Sequence, residues 1–380
     1  MLVTQIGKYY FPVVGGIESH VQKFSESLVR QHNVRVTVLA ANTRNEHAFQ
    51  RVNGVAVHYL ARPLEVMSAP ITRGLAHILR RIRSDVVHIH LPNPSAVVAY
   101  LIAGLETGLV ITWHSDIVRQ RLAARFVDPS VTALLRKADA VVATSPQYMA
   151  ISPHLQKFST KCTVIPDGVD SQHYALTSSI RRSAARLRAR FTGPIVLFIG
   201  RLTYYKGVEY LIRAVRGTSM NLLIVGDGRQ SRPLRLKAAG IQNIEFLGTV
   251  PDVRPYLHAC DVLVLPSVAK SEAFGSVLLE AMACAKPVVA TKLGTGVEHV
   301  VADGKTGFLV PPRSSASLRS ALLQLMASLA LRRVMGQAGR QRVSTEFSLA
   351  AQATKLHCVY ARIQEQTARR GQGEHKKAPQ

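Results

Sequence analysis

The sequence predicts an α/β fold of two doubly wound domains, each a parallel sheet covered by helices on both faces. Short β-branched runs alternate with longer amphipathic stretches from end to end, which is typical of parallel strands joined by crossover helices. The runs are apolar throughout, as expected for strands that are buried on both faces. At 380 residues with 47% hydrophobic side chains, the chain is long enough for two cores.

In the first half of the chain, β-branched runs predict strands, and apolar residues recurring every three or four positions predict helices. The strands predicted after a first N-terminal strand are Val34–Ala40, Val55–Leu60, Asp85–His90, Val110–Trp113, Ala140–Thr144 and Cys162–Pro166. The predicted helices lie near Ile17–Gln31, Ala76–Arg83, Ser95–Glu106 and Ser130–Lys137. We expect these elements to form a domain over residues 1–175.

The same pattern returns after residues 170–193, where serines, threonines and Gly193-Pro194 favour a junction. The strands predicted after this break are Ile195–Ile199, Leu222–Val225, Ile244–Leu247, Val262–Leu265, Val288–Thr291 and Phe308–Val310. We expect a second domain over residues 190–346. Because ligands of doubly wound sheets bind beyond the carboxyl ends of the strands, the active site is expected in a cleft between the two domains.

The formal net charge of +25 predicts an anionic partner. An anionic membrane surface, an anionic substrate and a phosphorylated lipid all match this charge, and a solvated face that only aids solubility remains open. Aromatic residues make up only 6% of the chain and none lies within the densest basic cluster, which disfavours nucleic acid as a partner. That cluster consists of Arg181, Arg182, Arg186, Arg188 and Arg190.

Apolar residues at helical spacing accompany this basic cluster. They are Ile180, Ala184, Leu187 and Phe191. We expect either that this helix lies against anionic lipid or that it is an exposed basic linker.

The four cysteines are far apart and have no paired spacing, which favours free thiols in a reducing compartment over a disulfide framework. The N-terminus lacks the pattern of a signal peptide. The longest apolar run, Ala96–Leu105, is too short to cross a bilayer. We therefore expect a cytoplasmic or peripheral protein.

Two glycine-containing loops have features of phosphate sites. Gly15-Gly16 precedes a helix, where a bare backbone lets a ligand approach closely and helix amides attract phosphate; a turn that needs a positive φ is the alternative. The loop Gly200–Gly207 follows a buried strand and carries Arg201 and Lys206, a guanidinium fork and a point charge that suit a diphosphate. Its alternative is a pair of solvated cations.

The segment Glu272–Glu280 has a carboxylate on each side of a predicted helix start. Gly275 and Ser276 open this helix, so its free amides can face phosphate. Glu272 can accept bonds from sugar hydroxyls, and Glu280, one turn inside the helix, can hold ribose hydroxyls. A helix that merely exposes one glutamate is the alternative.

His88 and His90 lie on one face of a predicted strand that ends before Asn93. A metal site needs further ligands, and none is evident nearby, so we expect no metal. His90 and Asn93 are expected to line the acceptor side, with ordinary packing as the alternative.

These motifs resemble, in order and over nearly the whole chain, the retaining glycosyltransferase family 4, the group 1 transferases of the GT-B fold. The matching segments are Gly15-Gly16, Trp113–Asp116, Ile165–Asp170, Gly200–Gly207, Val225–Gly228, Phe246–Gly248, Glu272–Glu280 and Asp303–Val310. The resemblance implies two Rossmann-like domains facing across a cleft and a last helix, about 349–367, that crosses back onto the first domain. We expect residues 368–380 to form a disordered basic tail.

Carried over by position, the resemblance implies that Gly16 contacts the donor phosphate and that Arg201 and Lys206 neutralise the departing diphosphate. It also implies that Glu272 orients the donor sugar and that Glu280 holds the ribose. Gly15, Gly275 and Ser276 complete the expected donor site.

On the acceptor side, the resemblance implies that His114 lies beside the transferred sugar, with a loop histidine bonded to backbone as the alternative. Asp116 is expected nearby. Two positions depart from the family, which often has asparagine where Asp167 stands and a glycine pair where Thr295-Gly296 stands. Both changes are expected to alter local loop contacts.

The implied reaction retains the anomeric configuration and uses no metal or other cofactor. No Asp-x-Asp motif follows a suitable strand, and no second carboxylate is clearly placed as a nucleophile. We therefore favour front-face attack, in which the departing phosphate accepts the proton of the acceptor.

The segments 89–94 and 112–118 resemble those of bacterial transferases that build O-antigen, capsule or exopolysaccharide. They imply GDP-mannose as the leading donor, a polyprenyl-diphosphate-linked or oligosaccharide acceptor, and a peripheral location at the cytoplasmic face of the inner membrane. A UDP-sugar donor is the first alternative. An epimerase or phosphorylase of the same fold, or a non-catalytic binding protein for sugar nucleotides or nucleic acid, are the others.

Overall fold

A computed structural model describes residues 1–66, 69–116 and 121–375 and confirms the predicted α/β fold. The chain divides into two compact units, one of Met1–Asp167 with Leu349–Gln380 and one of Gly168–Ser348. The division therefore falls before the segment in which the sequence predicts a junction. Part of the quoted motif at 112–118 lies outside the described residues, since the structure describes it only through Asp116.

The first unit is built on an eight-stranded sheet. Its strands, together with those of a small hairpin, are β1 (Leu2–Ile6), β2 (Arg35–Ala41), β3 (Ala48–Val52), β4 (Val55–Leu60), β5 (Leu64–Val66), β6 (Ala69–Ile71), β7 (Val86–Leu91), β8 (Gly108–Trp113), β9 (Ala140–Ala143) and β10 (Cys162–Val164). The sheet order is β10-β9-β8-β7-β1-β2-β4-β3, parallel except for β3 against β4, and β5 pairs with β6. The chain thus leaves β1 in one direction to β2 and later returns to its other side at β7.

Helices cover both faces of this sheet. They are α1 (Gly16–His32), α2 (Leu75–Arg81), α3 (Pro94–Ala103), α4 (Arg121–Lys137), α5 (Pro146–Ile151) and α6 (Pro153–Lys157). Helix α1 buries Val21, Phe24 and Leu28, which recur at the spacing of one helix face, in the core of the unit. Helix α3 begins after Asn93, whose side chain accepts a hydrogen bond from the Ala96 amide at 3.3 Å.

The second unit contains a six-stranded parallel sheet. Its elements are α7 (Ser178–Arg188), β11 (Ile195–Ile199), α8 (Val208–Val215), β12 (Asn221–Val225), α9 (Ser231–Lys237), β13 (Ile244–Gly248), α10 (Arg254–Ala259), β14 (Val262–Leu265), α11 (Ser276–Ala283), β15 (Val288–Thr291), α12 (Val297–Val300), β16 (Gly307–Val310), α13 (Ser315–Ala327) and α14 (Leu329–Glu346). The strand order β13-β12-β11-β14-β15-β16 reverses direction between β11 and β14. In such sheets this reversal opens a crevice at the carboxyl ends of the two strands.

Helix α7 carries the arginine cluster, but its apolar face is already used. Ile180, Ala184 and Leu187 are buried, and the last two join the core of the second unit, where the helix packs against α10. The expectation that these apolar residues lie against lipid is therefore wrong, and the segment before residue 190 belongs to the second unit rather than to a linker. Arg188 and Arg190 bond to neighbouring residues of the unit, while Arg181, Arg182 and Arg186 are exposed.

Helix α15 (Leu349–His375) belongs to the first unit, where it packs against α1. It continues beyond the predicted end at 367, so residues 368–375 of the predicted tail are helical. The Arg370 guanidinium donates to Asp139 Oδ1 at 2.9 Å, and extending a formed helix requires no new nucleation. Residues 376–380 lie outside the described part of the chain. Within that part, no helix combines the length and apolar character needed to span a bilayer.

Candidate functional site

A buried ion pair lies where the strand order of the second unit reverses. Because β11 and β14 are parallel neighbours, the loops that follow them meet at one edge of the sheet. The first loop carries Lys206 and the second carries Glu272, and Lys206 Nζ donates to Glu272 Oε2 at 2.6 Å. Ser267 Oγ donates to the same oxygen at 2.7 Å. The structure thus brings together two of the predicted site residues.

The environment of Lys206 keeps it cationic. Burial on its own lowers the pKa of the ammonium, but the Glu272 carboxylate and Tyr205 together more than offset this effect, and the net pKa of Lys206 is raised. The charge of Arg201 acts in the opposite direction, which places the guanidinium within electrostatic reach of Lys206. Arg201 itself is exposed on the same loop. The loop therefore presents one fixed cation and one accessible cation.

Gly207 explains why the two loops can approach so closely. Its φ of 62° lies in the left-handed region, and a Cβ atom there would lie 2.1 Å from the Pro266 carbonyl oxygen. The Val268 amide donates to the Tyr205 carbonyl at 2.7 Å, which ties the loops together beside the ion pair. The glycine that ends the Arg201/Lys206 motif is thus required by packing against the Glu272 loop.

The helix that follows Glu272 begins as the sequence predicts. Gly275 has a φ of 80° and precedes α11, whose first residue is Ser276. Glu280 lies on the second turn and is partly exposed. Thr295 Oγ1 donates to the Glu272 backbone carbonyl at 2.8 Å, so the residue that departs from the family's glycine pair anchors the carboxylate loop.

In the first unit, three histidines gather near the ends of β7 and β8, and His88 adjoins them from within β7. His90 Nδ1 lies 3.0 Å from His114 Nε2, and His90 Nε2 lies 3.1 Å from Gln5 Oε1. His20 of α1 stacks edge-on against His114 with ring centroids 4.7 Å apart. The ring of His88 lies 4.3 Å from that of His90, centroid to centroid, but its nitrogens bond to Thr112 and Tyr360. The structure therefore supplies His90 with imidazole neighbours that are distant in sequence.

The imidazoles of His90 and His114 are neutral. Burial lowers the pKa of both residues well below the ordinary value, and the neighbouring histidines add to this effect. His20 Nδ1 lies 3.1 Å from Asp167 Oδ1, and Lys23 Nζ approaches the other oxygen at 3.4 Å. The aspartate that replaces the family's asparagine thus holds the outer edge of the histidine cluster.

The remaining predicted residues of this unit occupy three different positions. Gly15 precedes α1 with an extended φ of −171°, so no positive φ explains the Gly15-Gly16 pair, and a Cβ atom on Gly16 would meet nothing within 4 Å. The Asn93 side chain caps α3. Asp116 accepts hydrogen bonds from Trp113 Nε1 at 3.0 Å and Ser152 Oγ at 2.8 Å, which orders the loop after β8.

Three residues of these sites were not identified from the sequence: Gln5, His20 and Ser267. Gln5 and His20 act through partners that lie near them only in the folded chain, whereas Ser267 lies five positions before its partner Glu272. The one local signal was for His20, which falls on the same face of α1 as Phe24, against which its ring stacks at 4.2 Å.

The chain matches two protein-family models over most of its length. Residues 14–173 match the model described as Glycosyltransferase Family 4, and residues 193–328 match the model described as Glycosyl transferases group 1. It is 32% identical over 322 residues to D-rhamnosyltransferase WbpZ of Pseudomonas aeruginosa, covering 83% of each chain. It is 30% identical to O-antigen chain mannosyltransferase C of Escherichia coli, covering 92% of this chain and 95% of the relative.

Among solved structures, Anabaena Alr3699/HepE in complex with UDP-glucose is similar with a TM-score of 0.78 and 20% identity, over 95% of this chain and 99% of that one. Such a likeness shows the fold, which is the GT-B fold. The family models and the relatives show more, and they confirm the resemblance that the motifs indicate. The chain belongs to the group 1 glycosyltransferases of glycosyltransferase family 4, and resembles their bacterial mannosyltransferases.

Proposed function

We propose that this glycosyltransferase is a hexosyltransferase that moves a sugar from a nucleotide-diphosphate donor to a lipid-linked or saccharide acceptor in cell-surface polysaccharide synthesis. The Lys206–Glu272 pair supports this proposal most directly. The pair buries a cation and a carboxylate at the strand reversal, which is where sheets of this type bind nucleotides. The cation suits the diphosphate, and the carboxylate suits the sugar hydroxyls. Arg201, on the same loop, adds the second cation.

In this proposal the second unit stabilises the departing nucleoside diphosphate. Breaking the sugar–phosphate bond places negative charge on phosphate oxygens, and cations fixed beforehand stabilise that charge without reorganising. The salt bridge fixes Lys206, and Arg201 supplies a fork for phosphate oxygens. The free amides at Gly275 and Ser276 contribute a positive helix end, and Glu280 holds the ribose.

Glu272 binds the donor sugar. Lys206 and Ser267 both bond to its Oε2 atom, which fixes the plane of the carboxylate and orients Oε1 to accept hydrogen bonds from sugar hydroxyls. Because the Lys206 charge balances the carboxylate, this polar group can remain buried beside the substrate.

The first unit contributes Gly16 and His114. The Gly16 position has space for a Cβ atom, so its lack of a side chain is best explained by a ligand that contacts the backbone amide. His114 is neutral, so it can hydrogen-bond to the transferred sugar without adding charge to a site where an oxocarbenium-like centre develops. His90 bonds to His114 and orients it toward the acceptor side, together with Asn93 and the ordered loop at Asp116.

The name of one relative, an O-antigen chain mannosyltransferase, supports GDP-mannose as the leading donor. The other relative is named a D-rhamnosyltransferase, so a D-rhamnose donor is a further candidate. The similar structure that holds UDP-glucose supports a UDP-sugar as the second candidate. An O-antigen-type product suggests a polyprenyl-diphosphate-linked or oligosaccharide acceptor, and the net charge of +25 suits peripheral binding to an anionic membrane at its cytoplasmic face.

Transfer is proposed to retain the anomeric configuration without a metal. The fixed Lys206 cation, the Arg201 guanidinium and helix amides take the electrostatic role that a metal ion has in other transferases. Front-face attack is then the simplest route, because the departing phosphate can accept the acceptor proton on the same face of the sugar.

A donor screen tests the proposal. Purified protein is incubated with GDP-mannose, UDP-glucose or UDP-N-acetylglucosamine, with EDTA present, with and without a polyprenyl-diphosphate-linked acceptor. We expect nucleoside diphosphate release with one donor, an α-linked product by NMR, and loss of release in Glu272→Gln. No release with any donor, or equal release by Glu272→Gln, would refute the proposal. A covalent glycosyl-enzyme on Glu272 or Asp116 would refute front-face attack alone.

A further inference from the structure

Three buried imidazoles converge in the first unit. His20 comes from α1, His90 from β7 and His114 from the loop after β8, and each offers one ring nitrogen within 4.8 Å of the others. Their residues are 4%, 1% and 8% exposed. Sugar binding by His114 does not explain why two more buried histidines, from two other elements, lie beside it.

We propose that His20, His90 and His114 form a binding site for a divalent transition-metal ion, with Zn²⁺ as the expected occupant. Three imidazoles with an open fourth position are a common ligand set for zinc. His114 is the most exposed of the three histidines, so the ion is expected to enter from its side. The ion is not a cofactor of transfer. It competes with the sugar for His114 and so switches the enzyme off.

The surroundings of two ligands favour metal binding. Gln5 Oε1 and a carboxylate oxygen can only accept hydrogen bonds, so His90 Nε2 and His20 Nδ1 carry the ring protons. In the neutral imidazoles, the other ring nitrogens, His90 Nδ1 and His20 Nε2, then carry the lone pairs. Such an acceptor behind each ligand histidine fixes its tautomer and strengthens its binding to metal.

The third ligand requires a change of tautomer. In the metal-free protein, His90 Nδ1 and His114 Nε2 are 3.0 Å apart. Because His90 carries its proton on Nε2, its Nδ1 accepts a hydrogen bond that His114 Nε2 donates. With its proton on Nδ1 instead, His114 presents Nε2 to the ion. Ligand nitrogens of a tetrahedral zinc site lie roughly 3.3 Å apart, so shifts of about an ångström bring all three into the coordination sphere.

Metal binding is tested without reference to activity. Purified full-length protein is treated with a chelator, desalted and titrated with Co²⁺, whose four-coordinate complexes absorb strongly in the visible range. Zn²⁺ is then added while displacement of Co²⁺ is followed. We expect one equivalent of four-coordinate Co²⁺ that one equivalent of Zn²⁺ displaces. Absence of this spectrum overturns the proposal.

Three variants locate the ion. His20→Ala should lose the Co²⁺ spectrum, and Asp167→Asn, a milder change, should weaken binding by about tenfold to a hundredfold because it replaces the charged acceptor behind His20 by a neutral amide. His357→Ala is the control, since the rings of His32 and His357 stack with centroids 4.4 Å apart and form a histidine pair outside the proposed site. Unchanged binding in both His20→Ala and Asp167→Asn, or loss in His357→Ala, overturns the assignment.

The inhibitory role, unlike binding, rests on the proposed function. Nucleoside diphosphate release is measured in EDTA and then with buffered free Zn²⁺. We expect at least a tenfold loss in the wild type and His357→Ala, and a requirement for about tenfold to a hundredfold more Zn²⁺ in Asp167→Asn. Bound metal with unchanged release overturns inhibition. Release that is absent even in EDTA refutes the transferase proposal while the spectrum still decides the metal site.

Discussion

In the second unit the loops after β11 and β14 bury an ion pair, whereas in the first unit the ends of β7 and β8 bury neutral imidazoles. A buried lysine and a buried glutamate are tolerated only together, because each removes the cost of burying the other. A buried histidine needs no such partner, since it can lose its proton. The ion pair of the second unit should therefore be sensitive to loss of a partner, and the histidines of the first unit should be sensitive to low pH.

Removing one partner of the ion pair should have the largest effect. We expect Lys206→Met to lower kcat/KM roughly 100- to 1000-fold, because a fixed cation no longer meets the leaving diphosphate. We also expect the free energy of unfolding to fall by about 3–5 kcal/mol, because Glu272 is left buried without its counter-charge. Steady-state kinetics and denaturant unfolding measure the two effects.

A double variant separates the two roles of the pair. Lys206→Met combined with Glu272→Gln should regain most of the lost stability and none of the activity. Lys237→Met is a matched control, because Lys237 pairs with Glu209 on the surface and should change both quantities little. Activity that returns in the double variant would show that the pair is only structural.

The histidine region should respond to acid. In the unfolded chain an imidazole has a pKa of about 6.5, whereas the pKa values of buried His90 and His114 are lower, so below pH 6.5 the unfolded state binds more protons. Stability is then constant above this pH and falls below it, by up to about 1.4 kcal/mol per pH unit for each group. Urea unfolding in EDTA between pH 7.5 and 5.5 measures the slope. A flat profile would contradict neutral burial, and His90→Gln should reduce the slope by the share of one group.

Sequence patterns predicted the buried strands well, because strands covered on both faces are apolar throughout. Val262–Leu265 and Val288–Thr291 begin and end where predicted. Strand β3 was not predicted, since its residues are nearly all exposed at the sheet edge and carry no apolar pattern. The length of α15 and the packing of α7 depend on contacts with other elements, which local periodicity does not record.

The candidate sites show the same limit. Lys206 and Glu272 stood out because glycines and strand ends mark their loops, and the parallel sheet then brings those loops together. His20 did not stand out, because its partner Asp167 lies 147 positions away along the chain. A departure from the family pattern, such as Asp167 or Thr295, was visible in the sequence, but its hydrogen bond was not.

Gly16→Ala distinguishes a ligand contact from a folding requirement. The new methyl group meets no neighbouring atom and lies in α1, so stability should rise by roughly 0.5–1 kcal/mol. Activity should nevertheless fall about tenfold, because the methyl group obstructs the donor phosphate. Gly240→Ala should show the reverse, a loss of roughly 1–2 kcal/mol from its φ of 76° with unchanged activity. Thermal unfolding measures the change in stability, and kcat/KM measures the change in activity. Unchanged activity in Gly16→Ala would remove Gly16 from the donor site.

The smallest effect is expected on α7, where only charge remains available to a membrane because the apolar face is buried in the second unit. Arg182 is exposed, and a single arginine near an anionic surface contributes about 1 kcal/mol. Arg182→Gln should thus weaken sedimentation with phosphatidylglycerol vesicles roughly fivefold, and more so at low salt. Arg333→Gln makes the same change of charge at an exposed position of α14. Equal weakening in both variants would mean that the net charge alone attracts the membrane, whereas a loss confined to Arg182→Gln would identify α7 as the contacting surface.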